Sequence, residues 1–248
     1  MNELSVIEID EVDFGFAPGR WNFAEERRAE IAAHFEERRR KAKGLWNGRV
    51  LLLSDRALRE RRLSGTFFET DFASFLAWRD WNCPDQTVTN CFAMGALRAS
   101  DGAFLVGVMG AHTANAGRVY FPAGTPEPED IRGGIVDLQS NVVREVAEET
   151  GLTPDNFAVL AGWHAVLMGP RIALFKLLQA KVPALDLRAR ILAFLASENE
   201  PEFSDVRIVR GPGDLDSMMP PFVVAFLKYA WNNNNDERAS PRPESGER

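Results

Sequence analysis

Three glutamates, Glu145, Glu148 and Glu149, stand at the i, i+3 and i+4 steps that gather side chains on one face of an α-helix. Around them Leu138, Val142 and Val146 recur every four residues, with Val143 and Ala147 beside them, which predicts an amphipathic helix. Asp137 is placed to cap its first turn, and Gly151 to end it in the left-handed conformation. Acids in the last turns of a helix meet the negative end of its dipole, at roughly 0.3–1 kcal/mol each. Like charges three and four residues apart add to that cost. Such a cluster suits a hard divalent cation, Mg²⁺ or Mn²⁺, which takes oxygen ligands and shares them with substrate phosphates. The same residues also fit a solvated acidic face on which Arg144 is the internal partner.

The run Arg144-Glu145-Val146-Ala147-Glu148-Glu149-Thr150-Gly151-Leu152 resembles the second half of the Nudix box, G-x5-E-x7-R-E-U-x-E-E-x-G-U with U aliphatic, and matches it at every fixed position. The first half departs. Val136 stands where the box has Glu, and Asp130 where it has Gly. Upstream, Tyr120-Phe121-Pro122-Ala123-Gly124 resembles the approach to the box, but Gly124 lies 20 residues before Arg144 where the motif has 14. The difference implies a six-residue expansion of the loop between Thr125 and Gly134. In the family the box glutamate braces the loop and the arginine, so its loss bears on loop geometry more than on the metal positions.

The resemblance implies Mg²⁺-dependent (or Mn²⁺-dependent) hydrolysis of a nucleoside diphosphate linked to another group. Glu145, Glu148 and Glu149 would hold the metal. Glu148, Glu145 and Arg144 would form the catalytic set, with Arg144 orienting carboxylates and the base being one of the glutamates or an acid from another loop. Arg118 and Arg171, at the ends of predicted strands, are candidates to grip phosphate, and Gly124 lies on the approach to the box. Trp163 could stack a base or sugar. The plainer readings stay open beside these: surface arginines at 118 and 171, core packing for Trp163, and a strand histidine at His164. The three histidines are too scattered for a zinc site. A homodimer is a further expectation from the family alone.

The elements that must position these residues are legible in the pattern. Residues 1–20 alternate weakly, as a strand does. Residues 21–43 predict one long helix, with a basic run at Arg38-Arg39-Arg40-Lys41 that suits its C-terminus. A Trp46-Asn47-Gly48 turn leads to strands over 49–54 and 63–70, an antiparallel pair, and Asp71 can cap a helix over 72–81. Asn82-Cys83-Pro84-Asp85 breaks the chain. Strands then follow over 87–99, 104–109 and 118–121, and after the acidic helix over 157–167 and 171–178. Helices are predicted over 186–197 and 220–231, with an edge strand at 206–209. The fold class is therefore α+β or an α/β/α sandwich. The order of elements is similar to the Nudix fold, and that resemblance implies a Nudix-like mixed sheet with flanking helices plus an added N-terminal α+β lobe. The expected division is an added lobe at 1–85, the Nudix domain at 86–231 and a disordered tail at 232–248. The turn, paired strands and Trp-ended helix ahead of an atypical box resemble the branch of the family that splits UDP-sugars into UMP and sugar phosphate.

Composition narrows the partners. The chain has 248 residues, 45% of them hydrophobic, enough for a sizeable core. A net charge of −7 opposes unspecific nucleic-acid binding. No apolar run of membrane-spanning length occurs, and the acidic N-terminus lacks the basic region of a secretory signal. Two cysteines, Cys83 and Cys91, give no disulfide framework, so a reducing cytoplasm is the expected compartment.

Overall fold

The computed structural model describes residues 4–42, 44–113 and 115–239. Two short strands open the chain, β1 (Val6–Ile9) and β2 (Glu11–Phe16), and they go to different sheets. Where the sequence predicts one long helix there are two, α1 (Asn22–Glu26) and α2 (Arg28–Lys41), broken at Arg27 with φ −109° and ψ 21°. The hairpin β3 (Arg49–Arg59) and β4 (Arg62–Asp71) is the predicted antiparallel pair. Asp71 caps α3 (Phe72–Asp80) by accepting the Ser74 amide at 2.9 Å. The middle of the chain holds β5 (Asn90–Arg98), β6 (Phe104–Met109), the two-residue strands β7 (Val119–Tyr120), β8 (Ala123–Gly124), β9 (Ile131–Arg132) and β10 (Ile135–Val136), and helix α4 (Leu138–Thr150). Then come β11 (Phe157–Val159), β12 (Trp163–Leu167), β13 (Arg171–Ala180), α5 (Ala184–Leu195), β14 (Phe203–Val209) and α6 (Pro221–Ala239).

Strand ends differ from expectation in several places, β3 running on to Arg59 and β14 beginning at Phe203, and two differences have clear physical reasons. The strand predicted over 157–167 is divided by Gly162, whose φ of +67° favours glycine. The tail predicted from Asn232 does not begin there, because α6 continues to Ala239. Its first turns are anchored by buried Val223, Phe226 and Leu227, and a nucleated helix propagates at little cost per residue. Residues 240–248 lie outside the described residues.

Nine strands make a mixed sheet in the order β1-β12-β13-β5-β6-β14, with β11 on β13, β7 on β6 and β8 on β5. Five make a second mixed sheet, β3-β4-β2-β10-β9. Helix α6 covers one face of the larger sheet, where the Phe226 ring stacks on Phe175 at 4.2 Å beside Phe104 and Phe121. The opposite face carries α4, α5 and the smaller sheet in one continuous core: Val142 and Val146, Leu187 and Ile191, Phe14, Leu51 and Phe67 all pack with Ala93, Leu97 and Leu174. Helices α2 and α3 close the outer face of the smaller sheet through Phe35, Phe75 and Trp78. The architecture is the expected one, mixed sheets with flanking helices.

The two segments expected on either side of residue 85 exchange strands. β1 pairs antiparallel with β12 in the larger sheet, while β9 and β10, from the expanded loop, complete the smaller one through Ile135 and Gly15. Among the described residues no helix is long and apolar enough to cross a membrane.

Candidate metal-binding and catalytic site

Helix α4 is built as its sequence predicts. The Asp137 side chain accepts the Ser140 amide at 3.0 Å, and Gly151 ends the helix at φ +69°. Leu138, Val142 and Val146 point into the core. The close approach of α4 to β5 requires Gly95, where a Cβ would stand 2.5 Å from the Val146 side chain.

The three glutamates do not share one environment. Glu149 is buried at 3% exposure and accepts the Ala123 amide at 3.3 Å. The Glu145 side chain is 12% exposed and lies against Gly124 of β8. Glu148, at 57%, faces solvent. These acids lie where β5 and β6 part. The two strands pair only at Arg98 and Phe104, beyond which β8 lines the edge of β5 and β7 the edge of β6.

A fourth acid enters from the loop ahead of β14. Glu202, held by its carbonyl to the Gly110 amide at 2.8 Å, brings its carboxyl into hydrogen-bonding contact with Glu149. Tyr120 of β7 is close enough to feel Glu149 and Glu202, and its hydroxyl accepts from Asn115 Nδ2 at 3.0 Å. Nothing in the local sequence marks Glu202, and Tyr120 is marked only as part of the run that resembles the approach to the box. Only the folding of β6, β7 and β14 into one sheet edge brings them to α4.

The electrostatics follow from burial. Desolvation pushes the Glu145 carboxyl up to about 7, against the pull of Arg144, with Glu148, Glu202 and Asp130 adding repulsion. Glu149 is raised well above the usual carboxylate range, first by burial and then by Glu202 and Glu145. Burial also raises the Tyr120 hydroxyl. Arg144 is half-buried, which disfavours its charge, yet Glu145, Asp130 and Glu148 together raise its pKa. Its guanidinium contacts Glu145 at 2.9 Å, Glu148 at 3.2 Å and Asp130 at 3.3 Å. Asp130, where the box has glycine, is 3% exposed, while Val136, where the box has glutamate, is an apolar core residue.

The donor set is oxygen only, anionic and partly desolvated, which suits Mg²⁺ or Mn²⁺. The fit is one of chemistry and charge. Among the described residues no group of three or more His, Cys, Asp or Glu side chains is arranged, as it stands, to hold a metal ion. Cavities of about 810, 470 and 360 Å³ lie elsewhere, beside α2, at the start of α4 and along β1 and β12, and none is lined by Glu145, Glu148 or Glu149. Cavity size and chemistry therefore disagree about the site. The chemistry is the better guide, because buried carboxyls raised by desolvation and by one another mark a reactive site more directly than cavity volume does.

The remaining candidates are dispersed. Gly124 adjoins Glu145. Arg118 is exposed one residue ahead of β7, and its backbone pairs with Met109 and Asn115. Arg171 opens β13 opposite Asn90 and acts electrostatically on Cys83, so it faces the N-terminal elements rather than the acids. Trp163 is 5% exposed with the Lys176 ammonium 4.6 Å over its ring, and it borders the cavity at the start of α4, not the acid cluster. Sequence periodicity turns one of Trp163 and His164 away from the core. Both faces of β12 are in fact covered, and His164 packs between Phe226 and Tyr229.

No family model matches the chain, and no curated protein does. Solved structures resemble it in outline. A MutT protein from Methanosarcina mazei Go1 is 17% identical, covering 60% of this chain and 96% of that one, with a TM-score of 0.39. The Nudix hydrolase RenU from M. smegmatis is 14% identical over 62% and 88%, with a TM-score of 0.36. A pyrophosphohydrolase of Bacillus subtilis, BsRppH, is 13% identical over 59% and 81%, with a TM-score of 0.38. At such identities and scores the likeness says nothing about chemistry, which rests on the residues themselves.

Proposed function

We propose that this chain is a divalent-cation-dependent hydrolase of the Nudix type, cleaving the diphosphate bond of a nucleoside diphosphate linked to another group. The observation that carries the reading is Glu149: a buried carboxyl set beside Glu145 and Glu202, with no basic side chain among its described contacts. An uncompensated buried charge is expensive, and an apolar residue at that position would serve packing better. A hard cation is the partner that such a group lacks.

Glu145, Glu149 and Glu202 are the residues that would hold it. When bound, Mg²⁺ or Mn²⁺ neutralises diphosphate charge and eases deprotonation of water. Arg144, a planar fork shared by three carboxylates, keeps Glu145 and Glu148 oriented. Glu148, exposed and held by that fork, presents its carboxylate to solvent as the candidate acceptor of a proton from water. Gly124 lets β8 pass close to Glu145, so a phosphate can approach over backbone rather than side chain. A nucleotide sugar, giving a nucleoside monophosphate and a sugar phosphate, is the substrate class we favour. Its support is the resemblance in layout ahead of the box: the Trp46 turn, the β3–β4 hairpin and α3 running into Trp81. Arg118, exposed one residue ahead of β7, remains a candidate for phosphate, whereas Arg171 and the buried Trp163 lie away from the acids and are assigned no part in binding.

The test is phosphate-product release from UDP-glucose, ADP-ribose, NADH, coenzyme A and dinucleoside polyphosphates, with Mg²⁺ or Mn²⁺ and with chelator. Chelator-sensitive turnover of one class supports the reading, and UDP-glucose is expected to lead. One observation favours a second reading, a catalytically silent nucleotide-binding module: among the described residues the acids are not arranged at ligating geometry as they stand. A nucleotide that raises the melting temperature without metal and without turnover would establish that reading instead.

A further inference from the structure

The loop between β8 and α4 is held from two sides by the smaller sheet. The Leu51 amide of β3 donates to the Pro126 carbonyl at 2.8 Å. Further on, Ile135 of β10 pairs with Gly15 of β2, and the Phe16 amide donates to the Gly134 carbonyl at 2.8 Å. Between these anchors the loop turns inward and buries Asp130. Its carboxylate accepts from the Glu127 amide at 2.9 Å, from Asn141 Nδ2 at 2.9 Å and from the Arg144 guanidinium at 3.3 Å. The Asp137 amide, at the cap of α4, donates to the Asp130 carbonyl at 2.9 Å, so the same residue also fixes the start of the helix. The other arm of the Arg144 fork reaches Glu145 and Glu148.

We infer that Asp130 is a positioning residue for the acid cluster, acting through Arg144, and that β2 and β3 serve the site by holding the loop that carries it. The inference rests on the reading of that cluster as a cation-dependent hydrolytic site. A guanidinium gripped by a buried carboxylate on one arm presents only its other arm to Glu145 and Glu148. Released from Asp130, Arg144 can close on one of them bidentately and occupy the oxygens that a cation needs. The first 71 residues then have a function that no side chain of their own performs: they supply the sheet edge on which a polar, glycine-containing loop becomes ordered.

Asp130→Asn keeps the size of the side chain but removes the charge facing Arg144. Mn²⁺ titration and steady-state turnover of the full chain compare it with wild type. Mn²⁺ affinity and kcat should each fall by about 10-fold or more, with KM nearly unchanged and melting lowered by only a few degrees. Arg144→Lys, which cannot fork, should show the same losses, and it decides the matter if D130N does not fold. In the metal-free protein D130N and Arg144→Gln should shift melting non-additively. Wild-type Mn²⁺ affinity in folded D130N or in R144K overturns the inference, as do additive melting shifts. If the wild type hydrolyses none of the compounds above, the hydrolase reading fails, and the Mn²⁺ and melting measurements still judge the positioning role.

Discussion

A Cβ added to Gly124 would stand 2.2 Å from Oε1 of Glu145. The atom it meets is the far end of a flexible side chain, so the protein survives the substitution and Glu145 moves. Gly124→Ala should therefore lower turnover by roughly 10- to 100-fold, the cost of displacing a group that orients a metal site. Melting should change little. Steady-state kinetics beside a thermal melt check this, and unchanged kcat in a folded G124A would remove Glu145 from the chemistry.

Metal-free stability should fall as pH rises from about 4.5 to about 7. The Glu145 carboxyl is raised from 4.5 to about 7 in the folded chain, so the folded state binds that proton more tightly than the unfolded state does. The favourable contribution is complete below 4.5 and lost as pH passes the folded value, and Glu149 shifts in the same direction. For Glu145 the full effect is about 3 kcal/mol. Urea unfolding in chelator at pH 5.5 and pH 8 measures the larger part of it. Glu145→Gln should flatten the profile, and a wild type equally stable at both pH values would mean that the two glutamates are not desolvated.

Much of this was legible in the chain. The four-residue apolar stripe, Asp137 and Gly151 specify α4 locally, and the structure agrees at both ends. The β3–β4 hairpin and the Asp71 cap are equally local. Spacing alone could not tell that Glu145 and Glu149 turn inward while Glu148 turns out. The helix repeat puts all three on one side, and only the position of β8 decides which are covered. Glu202 was illegible for a related reason: it reaches α4 through a contact between segments distant in sequence and sits in no periodic pattern. Tyr120 and Asp130 were marked by the resemblance to the box and its approach, but what each would touch was not. Arg171 opens a strand predicted close to its observed bounds and Trp163 follows the Gly162 break that divides its predicted strand, but strand ends and faces are assigned by sheet order, which the sequence does not state.

Val136→Glu introduces the residue that the Nudix box carries at this position and should nevertheless be harmful. Val136 is 3% exposed among apolar neighbours, and Arg144 already has a buried carboxylate in Asp130. An unpaired carboxylate at such a position costs more than about 2 kcal/mol. Urea unfolding should show the loss and turnover should not rise. A stable V136E with clearly faster turnover would mean that the box glutamate was needed after all.

The most direct measurement is calorimetric titration of Mn²⁺ into the wild type and Glu149→Gln near pH 6.5, in two buffers of different ionisation heat. The account predicts that the wild type binds Mn²⁺ with release of protons, since Glu145, raised to about 7, keeps much of its proton in the free protein and burial shifts Glu149 in the same direction. E149Q should bind at least about 10-fold more weakly and release fewer. Equal affinity in the two proteins, or no binding by the wild type, would contradict the assignment of these buried glutamates to a cation.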